Sequence, residues 1–285
     1  MQEAQRSTAV KRAIRRRTEH LAEALRPPGV KPKRRVEIPS RRSGAKRLVP
    51  SPVFVLSSQR SGSTLLRVIL NSHSQIRAPH ELHLRTLKVE PSREFSDDVM
   101  GALGLTRKEL EHLLWDRILH HEMERSQASV IVDKTPANAL IWRRINSAWP
   151  KARYIFLLRH PQSVVESVMN RRKGADLDGV VQETYNYVSG VEEARQHLDG
   201  VTVRYEDLTA DPERETKRIC EYLGLPWEAA MLDYGAQDHG PIKPVFGDWS
   251  ANIKSGKVQA ARPLPTAETI DPKLLDIVKT WGYLD

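Results

Sequence analysis

The sequence predicts an α/β fold: a single domain with a central parallel sheet flanked by helices, preceded by a basic N-terminal arm. Three observations predict it. An apolar, β-rich run at residues 52–57 ends in a turn of small residues that opens a helix. Two more short apolar runs, at 129–133 and 153–158, are each followed by helix-compatible sequence, and strands alternating with helices form parallel sheets covered on both faces. Charge is also unevenly placed. Of 45 Lys and Arg and 36 Asp and Glu in the 285 residues, residues 1–50 hold 15 and 4, so the net charge of +9 belongs to an arm and the remaining body is close to neutral.

The elements follow in order. Residues 3–25 are helix-compatible, with Val10, Ile14, Leu21 and Leu25 as a thin apolar stripe, and Pro27-Pro28-Gly29 ends that pattern. Residues 31–47 mix Pro, Ser and basic side chains as an exposed linker does, so the arm is assigned to 1–49 and the domain to 50–285. After the first strand come a helix over 61–72 and an irregular His-, Arg- and Pro-rich stretch, 73–93, expected to line a cleft. A helix over 106–125, a strand over 129–133 ending in Lys134-Thr135-Pro136, and a helix over 138–148 follow. The strand 153–158 then feeds a helix over 161–172. Cys220, the only cysteine, sits in an amphipathic helical stretch and reads as a buried structural thiol. No apolar run reaches the roughly 18 residues of a membrane span, and the basic N-terminus lacks the apolar core of a leader. The expectation is a cytoplasmic protein.

The turn after the first strand is built for an anion. Backbone N–H groups of Ser61 to Thr64 at a helix start face a negative group, and Gly62 permits close approach. Against the pattern G-x-x-x-x-G-K-[ST] of P-loop nucleotide triphosphatases, Ser57 replaces the first glycine and Ser63 the lysine, while the cation is Arg60. That departure weighs against ATP as the donor, and a P-loop-type nucleoside or nucleotide kinase is kept as the alternative. Arg60, Lys134 and Arg159 each follow a predicted strand. In a parallel sheet this brings them to one carboxyl edge, where ligands collect.

The segment Gln59-Arg60-Ser61-Gly62-Ser63-Thr64-Leu65-Leu66 resembles the 5′-phosphosulfate loop of sulfotransferases that use 3′-phosphoadenosine 5′-phosphosulfate (PAPS), in its bacterial and tyrosylprotein-type form. Further resemblances lie at Arg159 and Ser167 after the strand at 153–158, at 203–208, and at Gly247-Asp248-Trp249. The resemblance implies PAPS as sulfuryl donor, adenosine 3′,5′-bisphosphate (PAP) as product, no metal, and a hydroxyl or phenol acceptor, with natural products the first guess. It implies that Arg60, Ser61, Gly62, Ser63 and Thr64 hold the 5′-phosphate, and that Arg159 and Ser167 clamp the 3′-phosphate. Lys134 is expected at the sulfate or leaving oxygen. Glu81 is the first choice of general base, with His80 and His83 as rivals. Tyr205 is either an adenine neighbour or a core aromatic. The C-terminal loop departs from the family pattern: it keeps Lys243 and Gly247-Asp248-Trp249 but lacks an arginine and a glycine, so Lys243 and Lys254, with Ser255 and Lys257, are expected to supply the missing contacts. The basic arm leaves open an acidic carrier protein as partner; nucleic acid is not expected.

Overall fold

Strand β1 (Val53–Ser57) is buried along its whole length, as a central strand of a sheet covered on both faces must be. The computed structural model describes residues 46–240 and 251–284; the arm's residues 1–45 and the segment containing Lys243 lie outside them. Beyond β1 the chain forms α1 (Ser63–Asn71), β2 (Ile76–Arg77), α2 (Glu94–Ala102), α3 (Arg107–Ser126) and β3 (Val130–Lys134). It continues with α4 (Trp142–Ala148), β4 (Arg153–Leu158), α5 (Pro161–Arg171), α6 (Leu177–His197) and β5 (Gly200–Arg204). The last helices are α7 (Tyr205–Ala210), α8 (Pro212–Leu223), the single turn α9 (Ala251–Lys254) and α10 (Leu275–Thr280).

The five strands among the described residues are all parallel, in the order β2-β3-β1-β4-β5. Side chains alternate along β1. Phe54 and Leu56 join Trp115, Trp142, Trp149 and Val191 on the face covered by α3, α4 and α6, while Val53 and Val55 join Leu66, Ile69 and Ile219 on the face covered by α1 and α8. Each such buried side chain contributes about 1.5 to 3 kcal/mol. Cys220 lies within the second cluster, fully buried, its Sγ 3.6 Å from the Met231 sulfur, and burial pushes its thiol up to about 11. Among the described residues no helix is long and apolar enough to cross a membrane.

The structure departs from expectation in several places. Residues 76 and 77, expected to be irregular, pair with Val130 and Ile131 as the edge strand β2. A 21-residue helix, α6, occupies sequence to which no element had been assigned. Residues 47–49, placed in the arm by composition, are bonded to the domain: Arg47 pairs with Glu109 at 3.0 and 3.1 Å and donates to the Ala148 carbonyl. Asp116, 2% exposed, accepts the Leu48 and Val49 N–H groups at 2.6 and 3.1 Å and the Trp149 indole N–H at 3.2 Å. One buried carboxylate thus ties the incoming chain to the Trp149 corner of the core. Asp116→Ala strands these donors and lowers the unfolding free energy by about 2 to 4 kcal/mol, measurable by urea denaturation.

Candidate active site

The carboxyl ends of β1, β3 and β4 carry the predicted cations because these strands are adjacent and in register, Val55 opposite Lys134 and Ser57 opposite Leu157. Arg60 takes a left-handed backbone conformation (φ 57°) and Gly62 follows at φ 83°. For an arginine this conformation costs on the order of 1 to 2 kcal/mol, and the surroundings hold it there. The Arg159 guanidinium donates to the Arg60 carbonyl at 2.6 Å, and Arg60 Nε donates to the Ser167 hydroxyl at 3.2 Å. Helix α1 then starts at Gly62 with no side-chain cap, and a helix N-terminus favours an anion.

Gly62 is obligatory for a second reason. A Cβ there would lie 2.2 Å from Cδ2 of Tyr205. The Tyr205 ring also lies 4.6 Å from the Arg159 guanidinium carbon, so one aromatic face packs on the loop while supporting a cation. Arg159 Nε is buried without a hydrogen-bond partner among the described residues. Burial draws its pKa down from the usual arginine value, with Tyr205 and Glu206 opposing. An arginine with a spare buried donor fits a phosphate oxygen.

The other pole centres on Glu81. Its Oε1 accepts from Lys134 Nζ at 2.5 Å and its Oε2 lies 3.4 Å from His83 Nε2. Burial draws the Lys134 ammonium down, while the Glu81 charge and hydrogen bond oppose. Behind it Asp133, whose acidity burial weakens, accepts from Thr135 at 2.9 Å and Asn138 at 2.8 Å. Arg67, buried in α1 and lowered to about 10 first by burial, donates to the Ala78 carbonyl at 3.1 Å. Asn71, one turn on, accepts the Ala78 N–H at 2.9 Å. The helix that opens at the anion turn therefore also holds the strand leading to Glu81.

A cleft of about 600 Å³ joins the two poles. Arg60, Gly62, Ser63, Thr64, Arg159 and Ser167 line it, as do Glu81, His83 and Tyr205. Ser61, expected through its backbone N–H, sits between Arg60 and Gly62 in the same loop, its buried hydroxyl turned back to the Ser58 carbonyl at 2.7 Å. Other expected residues lie outside the lining. Lys134, 1% exposed, stands behind Glu81 and not at the cleft surface. His80 is outside the lining, its imidazole against Gly240. Lys254 is exposed and also outside the lining; from the same loop it is Lys257 and Arg262 that border the cleft.

Residues 52–229 match the pattern of the Sulfotransferase family. The chain belongs to that family. It is 23% identical over 199 residues to protein-tyrosine sulfotransferase A of Caenorhabditis elegans, covering 64% of this chain and 52% of that protein. It is 25% identical over 191 residues to a putative protein-tyrosine sulfotransferase of Caenorhabditis briggsae, covering 64% and 68%. The chain thus spans about half the length of the first of these curated relatives. The sulfotransferase domain of the curacin biosynthetic pathway superposes with a TM-score of 0.61 at 24% identity, over 84% of this chain and 99% of that domain. The corresponding domain of the Synechococcus olefin synthase gives 0.61 at 22% identity, over 87% and 98%. These likenesses establish a shared fold.

Sequence reasoning missed several cleft residues, among them Arg171, Arg262 and Tyr234. Arg171 lies one helical turn after Ser167 on α5 and borders the cleft; that spacing was a readable signal. Tyr234 reaches the cleft from a single 3-10 turn (Tyr234–Ala236) and Arg262 from an irregular segment, neither with a periodic pattern to place it. On the PAPS reading proposed below, Gly62→Ala should weaken PAP binding at least about tenfold, because the new methyl displaces Tyr205 or the first turn of α1. Gly104→Ala, at a similar φ of 77° but with nothing within 4 Å, should leave binding unchanged; calorimetric titration of both variants checks this.

Proposed function

We propose that this sulfotransferase moves a sulfuryl group from PAPS to a hydroxyl or phenol by in-line displacement. The observation that carries the reading is the junction of two anion subsites, at the start of α1 and at Arg159 and Ser167, in one cleft bordered by a carboxylate. Two subsites suit a nucleotide with phosphates at both ends of one ribose. Arg60 and the α1 N-terminus take the 5′-phosphosulfate end. Arg159, Ser167 and Arg171 take the 3′-phosphate, with Arg262 as a further cation, and Tyr205 adjoins the base. The bound donor supplies an SO₃ group whose departure leaves charge on a phosphate oxygen, where preorganised cations matter most.

Glu81 is the general base. Its Oε2 accepts the proton of the acceptor hydroxyl as the oxygen becomes nucleophilic. Lys134 acts through Glu81: by donating to Oε1 it fixes the carboxylate and leaves the other oxygen for the acceptor. Lys134, which is not among the cleft-lining residues and whose buried ammonium meets Glu81, is given this role in place of contact with the sulfate or leaving oxygen. His83 flanks the same oxygen. The acceptor side is walled by Leu65, Pro136, Ala137 and Tyr187, an apolar lining that suits the carbon skeleton of a small phenol or alcohol.

The test is transfer of isotopically labelled sulfur from PAPS to an acceptor pool, followed by mass spectrometry. Wild-type chain should yield labelled product and PAP. Glu81→Gln should lower turnover by about 10² to 10⁴-fold with PAP affinity retained. Arg159→Ala should weaken PAP binding by about 1.5 to 3 kcal/mol. Equal turnover by wild type and Glu81→Gln would refute the assignment of the base.

A further inference from the structure

The peptide that joins Arg159 to His160 is held from outside the cleft. Its N–H, on His160, donates to Glu206 Oε1 at 3.3 Å, and the other oxygen of Glu206 accepts from the Tyr283 hydroxyl at 2.6 Å. A hydrogen bond to that N–H fixes the peptide plane from which the Arg159 side chain departs. It also fills a donor that has no partner inside helix α5, because Pro161 occupies the first helical position. Glu206 itself directly follows Tyr205, the residue that packs on Gly62 and beneath Arg159. It lies in the first turn of α7, where a carboxylate is favoured.

Tyr283 is held tightly in turn. Its ring meets the buried His160 imidazole edge-on at 4.9 Å, and the Arg204 guanidinium lies 4.0 Å above the ring. Burial, followed by the Glu206 charge, pushes its phenol well above the usual tyrosine range, so it remains a donor. His160 is lowered to about 4, first by burial and then by Arg204 and Arg159, and near neutral pH it adds no repulsion beside Arg159. Strands β4 and β5 set the frame, with Leu158 opposite Arg204, so Arg159 and Tyr205 leave the sheet side by side. Tyr283 lies beyond residues 52–229, the part that matches the family.

We propose that Tyr283 is a positioning residue for the 3′-phosphate: through Glu206 it fixes the Arg159–His160 peptide, and with it the Arg159 guanidinium. The proposal rests on the reading of Arg159 as the 3′-phosphate clamp. The experiment is calorimetric titration of the full chain with PAP and with adenosine 5′-phosphate, which lacks the 3′-phosphate. Wild type, Tyr283→Phe, Arg159→Ala and the double variant are compared. Tyr283→Phe keeps the ring packing and removes only the donor. It should weaken PAP about three- to tenfold, the scale of one hydrogen bond, and leave adenosine 5′-phosphate unchanged. In the Arg159→Ala background the same change should have no further effect on PAP. Glu206→Gln, which loses the charged acceptor, should shift PAP in the same direction as Tyr283→Phe. Equal weakening of both nucleotides, or effects of Tyr283→Phe and Arg159→Ala that multiply independently, would overturn the role of Tyr283 while leaving the 3′-phosphate site standing. A wild-type chain that binds the two nucleotides equally would overturn that site and the proposal with it.

Discussion

The hydrogen bond from Arg159 to the carbonyl of Arg60 is the contact on which the site depends. It joins the loop after β1 to the loop after β4, and it stabilises a backbone conformation that an arginine does not favour. The Arg60 side chain then reaches Ser167, on the helix that follows Arg159. Two strand ends, two helix starts and two guanidinium groups are thereby locked into one arrangement. Like charges held this close repel, and a bound polyanion relieves that repulsion. The cleft is organised for a ligand with negative charge at separated points.

The second constraint is the burial of Lys134 beside Glu81. A lysine taken out of water loses solvation that only a close carboxylate restores, so the pair is mutually dependent. Asp133, Thr135 and Asn138 hold the strand end from behind, while Arg67 and Asn71 hold Ala78 from α1. Glu81 is therefore placed from two directions, by the sheet through β2 and β3 and by the helix that begins at the anion turn. The anion turn and the segment carrying Glu81 are thus both tied to α1.

Much of this was legible in the sequence, and the reasons are specific. The strands at 52–57, 129–133 and 153–158 are apolar runs too short for helices, and a parallel arrangement leaves their carboxyl ends on one edge, which placed Arg60, Lys134 and Arg159 together. Depth was not legible. Nothing in Asp133-Lys134-Thr135-Pro136 tells whether the ammonium reaches the cleft or stops behind a carboxylate 53 positions away. Nor do the residues around His80 and His83 show which imidazole borders the cleft, a choice that goes with the left-handed backbone at His83 (φ 47°). Strand β2 spans two residues and has no period to detect. The loop cations show the same limit: Lys254 lies outside the lining while Lys257 and Arg262 border the cleft, and only the path of an irregular segment separates them.

The most direct measurement is calorimetric titration of the full chain with PAP and, separately, with ATP and Mg²⁺. The proposed pair of arginine-held phosphate subsites, with Ser63 where a phosphate-loop lysine would stand, predicts that PAP binds strongly and that ATP with Mg²⁺ binds much more weakly. Tighter binding of ATP with Mg²⁺ than of PAP would contradict the account and return the chain to the phosphotransferase reading.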